Sequence, residues 1–143
     1  MQKHAAIGMV LAAGIFLLLG GCSDSNFGEV TGTVTIDGKP CPAGIEIMFE
    51  PQIEGGSVSQ GVTGEGGTYE MHYTRDQKGV MVGKSLVRLQ IPMGFDPQSG
   101  QSMTDGEELG KIVIPPEFGS DSTFEVEVKS GEQVIDIPVT TSN

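Results

Sequence analysis

Val30-Thr31-Gly32-Thr33-Val34-Thr35-Ile36-Asp37-Gly38-Lys39-Pro40 alternates apolar and polar residues with a period of two and stops at Asp37-Gly38, a turn dipeptide. The next run has the same period: Ile45, Ile47 and Phe49 alternate with Glu46 and Glu50 before Pro51, which cannot donate to a ladder and ends the strand. The sequence therefore predicts two strands joined as a hairpin.

Further along, residues 55 to 67 are rich in Gly and Ser around Val58 and Val62, predicting one weak strand that ends in Gly64-Glu65-Gly66-Gly67. Tyr69, Met71 and Tyr73 share one strand face and Glu70 and His72 the other. Lys84 to Ile91 places Val87, Leu89 and Ile91 opposite Leu86, Arg88 and Gln90, and Pro92 stops it. Lys111 to Ile114, Thr123 to Val128 and Gln133 to Val139 complete the set of predicted strands. No stretch after residue 27 keeps a helical repeat for three turns. Seven to eight short strands, spaced by turns, predict an all-β two-sheet sandwich.

Ahead of this region, a short apolar segment from Ala5 to Leu18 follows Lys3 and closes in Leu19-Gly20-Gly21-Cys22. A basic start, a short apolar run and small residues describe a secretory signal, and the run falls short of the 20 or so apolar residues a spanning helix needs. Leu-Gly-Gly-Cys resembles a bacterial lipobox. The resemblance implies that residues 1–21 are removed and that Cys22 is acylated and becomes the mature N-terminus. Several acyl chains hold a protein to a bilayer far more firmly than one. Residues 22–28 read as a polar tether and residues 29–143 as the domain, which sits close to its membrane and faces the periplasm or the cell exterior. Ser23 after the lipidated cysteine resembles outer-membrane sorting.

The mature chain of 122 residues suffices for one domain. It carries 7 Lys and Arg against 19 Asp and Glu, a net charge of -12, which repels phosphate backbones and makes nucleic acid an unsuitable partner. The acidic residues are scattered, contain no D-x-D-x-D-G calcium loop, and read as a solvated surface. With Cys22 lipidated, Cys41 has no partner within the chain, so no disulfide framework forms. Between Pro40 and Pro42 it reads as a small apolar turn residue, the alternative being a reactive or intermolecular thiol.

The blocks Val30 to Pro40, Ile47-Met48-Phe49-Glu50-Pro51 and Thr63-Gly64-Glu65-Gly66-Gly67-Thr68-Tyr69 resemble the carboxypeptidase regulatory-like domain. Gly83 with Val87, Arg88 and Leu89, then Ile114-Pro115-Pro116-Glu117-Phe118, Ser122-Thr123-Phe124 and Val126 to Gly131, extend the likeness over nearly all of the mature domain. The resemblance implies a transthyretin-like, immunoglobulin-like β-sandwich, frequent among bacterial lipoproteins. Cys41 stands where an aliphatic residue is common, and Gly64 where the family often has Asp. Tyr69 can bury its ring while its hydroxyl caps a corner.

The family label comes from a noncatalytic module beside a zinc carboxypeptidase, and fold alone does not give function. The chain has no H-x-x-E or H-E-x-x-H arrangement, and mature His72 stands alone, short of the three or so protein ligands of a catalytic zinc. Enzymes with transthyretin-like sandwiches would require several His. The expectation is therefore a noncatalytic protein with no metal and no cofactor.

Met93 to Gly110, an 18-residue polar stretch with four glycines, is longer than most structureless loops and reads as either a tolerated insertion or a binding surface. Phe95, Asp96, Met103, Asp105 and Glu107 are its candidate binding residues. The expected function is a cell-envelope interaction or scaffold module that meets an envelope protein through this loop or a sheet edge. The alternative is a lipoprotein that binds carbohydrate, such as an envelope polysaccharide, or another small ligand, for which Phe95 and Phe118 would form an exposed stacking pair.

Overall fold

The computed structural model describes residues 26–92 and 109–141. Its architecture is all-β: two sheets packed face to face. The strands are β1 Phe27–Ile36, β2 Lys39–Pro40, β3 Glu46–Pro51, β4 Ser59–Val62, β5 Thr68–Glu70, β6 Val80–Met81, β7 Gly83–Gln90, β8 Glu125–Val128, β9 Gly131–Val134 and β10 Ile137–Val139. Three single 3-10 turns, at 65–67, 109–111 and 116–118, are the helical content of the described residues.

β1 is the spine of the six-stranded sheet. Antiparallel β6, β5 and β2 pair along one edge, and parallel β9 and β10 along the other. Gly28, Thr31 and Ile36 each have partners on both sides. The second sheet is antiparallel in the order β4, β3, β7, β8, with Phe49 opposite both Ser59 and Val87. Alternation places Val30, Val34, Ile47, Phe49, Tyr69, Met71, Val87, Leu89, Ile137 and Val139 in the core between the sheets. Outside, Arg88 Nη2 meets Glu50 Oε2 at 2.7 Å and Lys84 Nζ meets Glu125 Oε1 at 3.1 Å. Such half-exposed pairs add little stability.

Several expectations need correction. Among the described residues there are ten strands; β2 and β6 are two-residue ladders too short to show a period. The Asp37-Gly38 turn, with φ of 50° and 80°, returns the chain onto β2 and not onto β3. The primed turn geometry that Asp-Gly supplies is present, but Cys41 to Ile45 then cross to the other sheet. There Thr63 pins the crossing: its hydroxyl donates to Pro42 O at 2.8 Å and accepts from Ile45 N–H at 3.0 Å. Lys111 to Ile114 forms no strand, and Gln133 to Val139 divides into β9 and β10. β1 also begins at Phe27, two residues inside the stretch assigned to the tether; the Phe27 ring packs on Tyr73 at 4.8 Å.

The break between β9 and β10 has a specific cause. A Cβ on Gly32 would stand 2.0 Å from Ile135 O, so only a glycine lets that carbonyl descend onto β1. The carbonyl accepts the Tyr69 hydroxyl, Ile135 N–H donates to Thr31 O at 2.8 Å, and Thr33 N–H donates to Asp136 Oδ1 at 3.0 Å. The Ile135 carbonyl, the Ile135 amide and the Thr33 amide are thus each paired at the break. Burial first, and then the Asp136 carboxylate, push the Tyr69 phenol well above its ordinary range and keep it a donor.

Tyr69→Phe leaves the Ile135 carbonyl unmatched and is expected to cost about 1–3 kcal/mol in urea unfolding. Gly32→Ala is expected to cost more, about 3 kcal/mol or above, because backbone must move. A Gly32→Ala protein as stable as wild type would show that this contact is not a constraint.

Candidate functional site

The predicted site residues Cys22, Phe95, Asp96, Met103, Asp105 and Glu107 all lie outside the described residues. Their attachment points are described. Val82 N–H donates to Asn26 O at 2.9 Å, which sets the end of the tether beside the starts of β1 and β7. The loop leaves from Pro92, beyond β7, and returns at Leu109, which is buried; a Cβ on Gly44 would touch its side chain at 3.2 Å. Gly44 lies at the start of β3, beside Thr63 at the end of β4. The loop's feet and Asn26 therefore stand at opposite ends of the sandwich, separated by the ten residues of β1, roughly 30 Å.

At the loop's end the surface opens into a cleft of about 840 Å³. One wall is the stretch from Lys111 to Glu117, which runs between the 3-10 turns at 109–111 and 116–118; the other is Ile36, Asp37, Thr140 and Thr141. Phe118 drops from the first wall into the core, 1% exposed, with its ring 4.8 Å from that of Phe124. Ser122 anchors this stretch by donating to Val87 O and Glu117 O. Asp37 fastens the opposite wall: its carboxylate accepts both the Thr141 N–H, at 2.9 Å, and the Thr141 hydroxyl. These bonds hold the Asp37 carboxyl below its usual range. The cleft thus combines apolar Ile36, Ile112, Val113 and Pro115 with charged Asp37, Lys111 and Glu117.

The buried Phe118 cannot join Phe95 in an exposed stacking pair, so that half of the carbohydrate platform is overturned. His72 sits on the polar strand face, its Nε2 3.2 Å from Glu70 Oε1, and Lys78 Nζ reaches the same oxygen at 2.9 Å. Lys78 holds Glu70 below its usual range. Among the described residues, no three His, Cys, Asp or Glu are grouped to hold a metal ion. Cys41 is 3% exposed and unpaired among the described residues, and burial pushes its thiol upward. The small apolar reading holds.

Sequence reasoning passed over the cleft because its walls, near residues 36, 113 and 140, are distant in the chain. Val113, 73% exposed, carried a signal: an apolar residue at a strand-like position with no strand beside it.

Since the native pKa of Asp37 is lowered, its contribution is complete above the ordinary 3.8 and fades as the pH falls below it. Amide exchange at Thr141, corrected for intrinsic rate, should therefore accelerate in acid, and Asp37→Asn should abolish that dependence. The Cys41 thiol should resist an aromatic disulfide reagent at pH 8 until the protein is unfolded; rapid reaction of the folded protein would contradict its burial. The chain matches no protein-family model, no curated protein and no solved structure.

Proposed function

We propose that the chain is a noncatalytic, membrane-anchored lipoprotein, its sandwich of the carboxypeptidase regulatory-like type, serving as an interaction or scaffold module of the cell envelope. The observation that carries this reading is Leu19-Gly20-Gly21-Cys22, placed so that only Ser23 to Asn26 separate the acylated cysteine from β1. Acyl chains at Cys22 would anchor the protein, and the tether would keep the sandwich near the bilayer. The far end, with the loop's feet and the cleft, would then face away from the membrane toward a partner. The charge of the mature chain disfavours anionic lipid heads and nucleic acid as that partner.

Burial of Phe118 removes the exposed Phe95–Phe118 pair that the carbohydrate reading called for, and no observation favours that reading over the first.

Expression of the precursor in a bacterial host, with and without Cys22→Ala, tests the anchor. The expected product spans residues 22–143, carries a lipid-sized mass increment and partitions into membranes; the variant loses both properties. An unmodified soluble product from both genes would overturn the lipoprotein reading.

A further inference from the structure

Along one long side the two sheets are stitched together: Gln60 N–H donates to His72 O, and His72 N–H to Gln60 O, both at 2.8 Å. The opposite side has no such bridge among the described residues. There the edge of β7 is continued by β8 and by Glu117 to Phe124, with Val87 N–H donating to Phe124 O at 2.9 Å. The edge of β1 carries β9 and β10. At the end away from the tether, the gap between these edges is the 840 Å³ cleft.

Among the described residues, both walls of the cleft carry backbone amides without a backbone partner. Parallel pairing sets Val34 opposite Ile137 and Ile36 opposite Val139, and Asp37 N–H donates to Val139 O at 2.9 Å. Since successive residues direct their backbone groups to alternate edges, Pro138 and Thr140 direct theirs away from β1. Pro138 has no N–H, so Thr140 supplies the donor. On the other wall, the Val113 and Ile114 amides find no backbone partner among the described residues. Lys111 to Ile114 has the alternation of a strand without the ladder of one.

We propose that the cleft receives an extended segment of a partner protein, in which basic residues alternate with apolar ones, as a short added strand between Thr140 and Lys111 to Ile114. This deepens the interaction-module reading and rests on it. Ile36, Ile112 and Pro115 would cover the apolar side chains, while Asp37 and Glu117 outnumber Lys111 in charge. With a net charge of -12 on the mature chain, a basic segment is attracted and a second copy of this chain repelled. On the lipoprotein reading, in which Cys22 is the mature N-terminus, that end cannot reach: residues 22–26 extend at most roughly 17 Å, and β1 alone covers roughly 30 Å. Pro138 limits the added ladder to a few residues, as edge prolines do.

The probe is a hexapeptide of alternating lysine and valine, titrated into isotope-labelled mature protein in zwitterionic detergent. Saturable shifts are expected at the Val113, Ile114 and Thr140 amides. Thr140→Pro should weaken binding about tenfold, the effect of one net hydrogen bond. Glu117 is exposed, so Glu117→Lys should keep the fold while also weakening binding. Backbone N-methylation, or glutamate in place of lysine, should abolish it. Absence of shifts at these amides, or full binding by the N-methylated peptide, would overturn the proposal. Cys22→Ala protein should bind equally well. Loss of the anchor would therefore sink the lipoprotein reading alone, and loss of peptide binding with an intact anchor would sink the cleft alone.

Discussion

The approach of the Ile135 carbonyl to Gly32 is the contact on which the six-stranded sheet depends. β1 pairs with five other strands, and its parallel edge must accept two of them across an interruption. Without a side chain at residue 32, the carbonyl can settle over the strand and take the Tyr69 hydroxyl. Asp136 then answers the Thr33 N–H that the interruption would leave open. Val30 and Val34 on β1, with Ile137 and Val139 on β10, consequently keep their inward positions on both sides of the break. Moving one residue out of register would turn those side chains to solvent, so a small local packing condition governs a large share of the core.

Much of this was legible because a half-buried strand must alternate. The faces of β3, β5 and β7 follow from residue order alone, as does the turn at Asp37-Gly38. What the turn joins did not follow, because a turn's chemistry specifies its own geometry and says nothing of how far the returning strand continues. Cys41 to Ile45 leave the sheet after two residues because Thr63, eighteen or more positions away, supplies the bonds that pin the crossing. The division of Gln133 to Val139 was hidden likewise: it depends on Gly32 and Tyr69, which sequence order sets far from it.

The candidate site was less legible. An apolar residue in a loop can serve the core or a ligand, and alternation does not decide between them. Phe118 enters the core because Ser122 and Phe124 fold the chain around it, whereas Val113, five residues earlier, faces outward. The cleft itself arises from the spatial meeting of a turn, a strand end and an extended segment, for which the sequence has no local mark.

The placement of Asn26 and the cleft at opposite ends of β1 has a mechanical meaning. Inter-strand hydrogen bonds lie across the strand axis, and β1 carries such bonds along both edges between Phe27 and Ile36. Tension applied between the two ends runs along β1 and loads these bonds together in shear, instead of peeling them apart one by one. The sandwich is therefore stiffest along the line joining Asn26 to the cleft.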